Sequence, residues 1–230
     1  MRLILLPGMD GTGDLFSDFV SALPSWVHAQ VVRYPTDSKL SLAQLHRVVL
    51  SALPDSEPFV LMAESFSSPI AVRIAAKAPD NLRGLVICAG FVSSPVQGII
   101  RLALLLMSPI LFRLKPRNSM IRGLLLSESA SPALVGRVRA AISSVSRDVM
   151  ADRMHAVLAC DAKADLPGVS VPILYIAAAE DRLVRRSSIE AIKKIRPDVS
   201  VARIGGPHLI VQAEPQKIAL ALLDFLRKLP

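Results

Sequence analysis

At 230 residues, 52% hydrophobic and 20% charged, the chain has enough apolar content to bury a full core, as one domain or as one domain with an insert. Its 11 glycines and 17 prolines are dispersed, which excludes collagen-like and low-complexity chains. The two cysteines, Cys88 and Cys160, are too few for a disulfide framework or a zinc site and suit a reducing compartment. The net charge is +8, and between Phe91 and His155 nine basic residues (Arg101, Arg113, Lys115, Arg117, Arg122, Arg137, Arg139, Arg147 and Arg153) face only Glu128, Asp148 and Asp152. Such a patch attracts anionic partners, whereas two tyrosines and one tryptophan leave few platforms for stacking bases, so nucleic acid is not an expected partner.

The chain opens with MRLILLPGMDG, whose apolar run is too short for a signal-peptide core and reads as a strand, Leu3–Leu6. Further strands are expected at Ala29–Arg33, Phe59–Met62, Leu85–Ala89, Ile173–Ala177 and Val201–Ile204. Helical patterns lie between them. Ser41 is placed to cap Leu42–Leu53 ahead of Pro54, and Pro69 suits the first turn of a helix that Pro79 stops. A last helix, Pro215–Lys228, turns Ile218, Leu222, Phe225 and Leu226 inward and Lys217, Asp224 and Lys228 outward. Short apolar runs alternating with helices predict an α/β fold, a mostly parallel sheet flanked by helices.

The alternation breaks between about residues 93 and 167, a Leu-, Ser- and Arg-rich stretch with few strand signals. We read it as a helical cap inserted between core segments 1–92 and 168–230. Its greasiest part, Leu102–Phe112, is shorter than the roughly 20 apolar residues a spanning helix needs. A soluble, cytoplasmic protein is expected.

In open parallel sheets, ligands bind beyond the carboxyl ends of the strands. Three reactive groups fall there: Ser65 after the third strand, Asp181 after the fifth and His208 after the sixth. A serine hydroxyl is a weak nucleophile and needs an imidazole to take its proton. The imidazole in turn needs a carboxylate to orient it and to stabilise the imidazolium. The tetrahedral intermediate needs preset N–H donors, and the amides of Met9, in the loop after the first strand, and Phe66, after Ser65, are the candidates.

Other residues read more plainly. Ser67 and Ser68 fit the helix-capping role, Ser127 and Ser129 a loop, and Asp161 and Asp165 are rival acids in the tail of the insert. His28, His46 and His155 read as surface or internally satisfied histidines, and Cys88 as a small buried residue. The loop PGMDGTGD has glycines at phosphate-loop spacing, but Asp14-Leu15 stands where Lys-Ser/Thr is required, so it is not read as a nucleotide site.

LLPGMDGTGDLF, AESFSSPIA, AAAEDRLV and GGPHLIVQAEP together resemble the α/β-hydrolase superfamily, and PGMDGTG is similar to the start of its esterase- and acyltransferase-like members. The resemblance implies hydrolysis of an ester or thioester through an acyl-enzyme, with no cofactor and no metal. In this sequence the two glycines of G-x-S-x-G are replaced by Ala63 and Ser67, and the chain begins at the strand before the oxyanion loop. The sheet is therefore expected to lack the family's usual first two strands.

The function expected is a serine hydrolase for a carboxylic ester or thioester with an apolar acyl group, with Ser65, Asp181 and His208 as its triad. The alternatives are an acyltransferase using the same triad, a lyase, and a non-catalytic binding member of the fold. The substrate is expected to be a small molecule or acyl compound. The apolar run of the cap is either core packing or a wall for the acyl chain. Its basic residues are a solvated face, or meet an anionic membrane or an acidic carrier protein.

Overall fold

The computed structural model describes residues 1–96, 98–112 and 116–229, with the side chains of 107–111 left undescribed. In chain order the elements are β1 (Arg2–Leu6), α1 (Ser17–Ser21), β2 (His28–Val31), α2 (Leu42–Leu50), β3 (Phe59–Glu64), α3 (Ser68–Ala75) and β4 (Leu82–Cys88). These are followed by α4 (Gly98–Leu111), α5 (Asn118–Met120), which runs into a π-type stretch at Ile121–Leu125, α6 (Pro132–Ser143) and α7 (Arg147–Ala159). The chain then forms β5 (Ile173–Ala178), α8 (Arg186–Ile195), β6 (Ser200–Ile204), α9 (Ile210–Ala213) and α10 (Pro215–Leu226).

Six described strands make one sheet of order β2-β1-β3-β4-β5-β6, parallel at every pairing. Helices cover both faces, which is why the central strands are continuous apolar runs rather than alternating ones. Phe59, Leu61 and Ala63 of β3 pack on one side with Val49, Ile70 and Ile192. Val60 and Met62 pack on the other with Phe19, Ile218, Leu222 and Phe225. The helix α2 starts with a reciprocal capping box, in which the Ser41 hydroxyl accepts from the Gln44 N–H and Gln44 Oε1 accepts from the Ser41 N–H.

Strand β3 extends past Met62 to Glu64 and so delivers Ser65 directly at its end. The elements described between β4 and β5 are helices joined by loops, apart from an isolated bridge between Ser93 and Asp161. Among the described residues no helix is long and apolar enough to cross a membrane.

Several expectations are corrected. Ser67 stands at the N-cap of α3 and Ser68 at its first position, but neither side chain makes a capping hydrogen bond. Ser67 is fully buried, with its Oγ donating to the Pro7 carbonyl and lying 2.8 Å from the Tyr34 hydroxyl, while the Ser68 Oγ is buried without a partner. His155 accords with its reading, its Nε2 lying 3.1 Å from the Leu105 carbonyl, but His46 does not: its Nε2 is buried without a partner. Burial, then Lys77, Arg73 and Arg47, pull the His46 pKa down. The run Leu102–Phe112 divides: Leu104 and Phe112 line cavities, whereas Leu102 and Leu106 face outward.

The basic segment is corrected at one residue: Arg101, Arg117, Arg137, Arg139 and Arg147 are exposed, as a solvated face requires, but Arg153, 3% exposed, is not. Arg101 and Arg122 donate to backbone carbonyls, Arg137 pairs with Asp18, and Arg139 reaches the Asn118 side chain. Arg113 and Lys115 lie outside the described residues.

Candidate active site

Ser65 sits in a strand-to-helix turn with φ of +46°, a left-handed conformation that L-residues with side chains rarely adopt. The turn places Ser65 in the lining of an apolar cavity. The room that the missing motif glycines would have supplied comes partly from Gly90, just past β4. A Cβ there would lie 2.0 Å from Ser68 Oγ and 2.9 Å from Ser68 Cβ, so only glycine lets the start of α3 approach. Ser67, at the other motif position, takes up its own volume by bridging Pro7 and Tyr34.

Ser65 Oγ lies 2.9 Å from His208 Nε2, and His208 Nδ1 lies 2.8 Å from Asp181 Oδ2. The residues are 143 and 27 positions apart in the chain, and the sheet brings them together. Asp181 is held in turn: its Oδ1 accepts from the N–H groups of Leu183 and Val184, each at 2.8 Å. His208 is buried, on a loop fixed by the Glu180 N–H donating to the Gly206 carbonyl and the Leu209 N–H donating to the Leu125 carbonyl in the helical segment between β4 and β5. Gly206 has φ of +144°, and a Cβ there would lie 2.4 Å from Ile210 Cδ1.

Met9 and Phe66 lie in the same cavity wall as Ser65 and His208. Among the described residues, neither amide is a donor in the backbone turns around it. The loop carrying Met9 is tight: the Gly11 N–H donates to the Gly8 carbonyl at 3.0 Å, and Asp10 Oδ2 accepts from the Thr12 N–H and hydroxyl.

The cavity at Ser65, about 200 Å³, is lined mainly by apolar groups including Leu104, Leu125, Met150, Met154 and Leu209. It shares Met9, Leu125, Ile142, Met150, Met154 and Leu183 with a larger apolar cavity of about 590 Å³ that reaches Phe112, Pro116, Met120 and Arg147. The rival acids are elsewhere: Asp161 pairs with Lys163 and Asp165 with Arg73. Among the described residues no cluster of three or more His, Cys, Asp or Glu side chains could hold a metal ion.

Two buried ionisable residues beside the site escaped sequence reading. Glu64, next to Ser65, is buried. Its Oε2 accepts from Gln212 Nε2 at 3.2 Å, its Oε1 has no partner, and its pKa is raised to about 7 by burial and then by Asp10. Arg153 donates to the carbonyls of Met9, Asp10 and Pro35. Its signal was its position, with Val149 and Val157 four residues to either side, on the inward stripe of α7.

A family model described as serine aminopeptidase, S33, matches residues 33–211. The chain is 27% identical, over 253 residues, to the polyketide synthase ThaQ of Burkholderia thailandensis. That alignment covers 98% of this chain and 12% of the relative. It is 24% identical, over 233 residues, to the biotin biosynthesis bifunctional protein BioHC of Cellvibrio japonicus, covering 95% of this chain and 44% of that one. The chain thus spans less than half the length of either curated relative. A hydrolase from Oleispira antarctica superposes with a TM-score of 0.84 at 15% identity, over 99% of this chain and 91% of its own. The enol-lactonase of Burkholderia xenovorans LB400 does so at 0.82 and 16%, over 99% and 91%. At these identities the structural likeness is one of fold. With the parallel sheet and a family model matching well over half its length, the chain belongs to the serine aminopeptidase S33 family of the α/β-hydrolase superfamily.

Proposed function

We propose that the protein is a serine hydrolase that cleaves a carboxylic ester or thioester with an apolar acyl group through an acyl-enzyme. The observation that carries this reading is the chain of two short contacts, Ser65–His208 and His208–Asp181, ending in an apolar cavity. Ser65 Oγ attacks the carbonyl carbon as His208 Nε2 takes its proton. Asp181, held by two backbone N–H groups, keeps the imidazole oriented and stabilises its cation. The Met9 and Phe66 N–H groups receive the oxyanion. On collapse the proton passes from His208 to the leaving group, and water activated by His208 then releases the acid and restores Ser65.

The family description raises a peptide substrate. An exopeptidase that takes a free amino terminus needs an acidic group facing it. Asp10 is the one carboxylate in the lining described for the cavity at Ser65, and it is engaged by Thr12. An apolar acyl group fits that lining better. The enol-lactonase neighbour shares the fold and by its name acts on a lactone, a cyclic ester.

Treatment of the pure protein with a fluorophosphonate, followed by mass mapping, tests the reading. A label on Ser65 that is absent from Ser65→Ala is the expected result, with turnover of medium- or long-chain acyl esters or thioesters exceeding that of acetyl esters. A folded protein that takes no label would overturn it.

A further inference from the structure

We propose that Arg153 is a positioning residue of the reaction, a guanidinium from the inserted helix α7 that sets the oxyanion loop from outside the core. The inference rests on the hydrolase reading above. Residues Gly8 to Gly11 form a turn closed by the Gly11 N–H on the Gly8 carbonyl. The Gly8–Met9 peptide plane carries both that carbonyl and, on its opposite edge, the Met9 N–H. Fixing the turn therefore fixes the direction of the N–H.

The two carbonyls that follow, on Met9 and Asp10, both accept from Arg153 Nη1, at 2.9 and 2.7 Å, while Nη2 donates to the Pro35 carbonyl at 2.8 Å. The guanidinium lies so close to Gly11, itself at φ +71°, that a Cβ there would be 2.5 Å from Nη1. It also sits over the Tyr34 ring, at 5.8 Å from the centroid, and Tyr34 meets Phe66 edge to face at 6.3 Å. One buried cation thus contacts the loop of one donor directly and the residue of the other through a single ring.

The arrangement is costly unless it serves geometry. A cation is held out of water on neutral carbonyls. The Asp10 carboxylate is near enough to favour its charge, but no carboxylate is in ion-pair contact among the described residues, and burial outweighs that help. A fork of donors in fixed directions is what guanidinium supplies and ammonium does not. Because the fork comes from the insertion, the oxyanion loop takes this shape only while α7 is seated on it.

The test uses Arg153→Lys and Arg153→Met in the full chain. It reads kcat and KM with an acyl ester, affinity for a boronic acid that mimics the tetrahedral state, and fluorophosphonate labelling of Ser65. Removing an oxyanion donor costs about 10²–10³ in kcat, and displacing one should approach that range. We expect Arg153→Met to lose roughly 100-fold in kcat and boronate affinity and Arg153→Lys roughly 10-fold, with KM within about threefold for both. Where Arg153→Met does not fold, Arg153→Lys decides. Unchanged kcat and boronate affinity, or a loss confined to KM or to melting temperature, overturns the proposal and leaves Arg153 as packing. A wild-type protein that takes no label on Ser65 overturns the hydrolase reading instead, and this inference with it.

Discussion

Glu64 is the last residue of β3, directly before Ser65, and its carboxyl is buried there. Burial, aided by the nearby Asp10, raises its pKa to about 7, against opposing contributions from Gln212 and His208. A group whose folded pKa exceeds its unfolded value of about 4.3 holds a proton in the folded state that the unfolded chain has released. Stability therefore falls as pH rises from about 4.3 to about 7, by on the order of 3 kcal/mol for a shift of this size, and the cost is complete above that window. Glu64→Gln keeps an acceptor for Gln212 without the charge. Urea midpoints at pH 5 and pH 8 should differ much less in that variant than in the wild type. An identical pH dependence in both would mean that Glu64 does not set it.

At the scale of the elbow and its flanking elements, the sequence pattern and the packing pull apart. The motif suggests that restoring glycine at Ser67 would relieve the turn. The structure predicts the opposite, because Ser67 Oγ is the described partner of the buried Tyr34 hydroxyl and donates to Pro7 at the end of β1. Burial holds the Tyr34 phenol well above its ordinary pKa, so the hydroxyl stays neutral and in need of a partner. Ser67→Gly should cost about 1–3 kcal/mol in chemical denaturation, the penalty for a stranded buried polar group. A variant as stable as the wild type would show that the tether is dispensable. Gly90 carries the converse prediction. Gly90→Ala drives a methyl into Ser68 and Ile87 Cγ2, 2.6 Å away, and overpacking of this kind costs about 1–3 kcal/mol. Its fluorophosphonate labelling should slow relative to wild type. Unaltered labelling would mean that the elbow tolerates the shift.

These elements also show what the sequence could disclose. Six apolar runs became the strands because both sheet faces are covered, and the candidate residues could be picked out because each follows a strand by a residue or a few. Chain order then sufficed to pair Ser65, Asp181 and His208. Arg153 could not be found that way: it acts on residues 143 and 144 positions earlier, and a lone arginine on a helix in a basic segment looks solvated. The Ser67–Tyr34 bridge was hidden for the same reason, since 33 residues separate its ends and neither carries a motif. Contacts that depend on where a distant segment comes to rest are a property of packing, not of local pattern.

The whole molecule adds a question of approach. The segment 91–155 carries most of the net charge, yet its arginines are largely occupied, and among the described residues only Arg117 and Arg147 there remain exposed without a protein partner. Arg147 lines the outer cavity together with Met120 and Leu124, both exposed, and α4 presents Ile99 at 83% and Leu106 at 71% exposure. Free cations and uncovered aliphatic side chains together fit the surface of an anionic bilayer better than the acidic face of a carrier protein, which would leave the aliphatic groups without apolar contacts. On this proposal the protein should sediment with vesicles containing phosphatidylserine or phosphatidylglycerol and not with neutral ones. Binding should weaken steeply between 0.1 M and 1 M salt, as the screening length falls from about 10 Å to about 3 Å. At roughly 1 kcal/mol for each basic residue near such a surface, Arg117→Gln with Arg147→Gln should reduce low-salt binding by about 30-fold. Leu106→Ser should weaken what remains at high salt. Binding that ignores both salt and the arginines would remove the charge argument and leave an apolar contact alone. No binding to anionic vesicles at 0.1 M salt would rule out the bilayer, and the exposed face would then have to meet its substrate from solution.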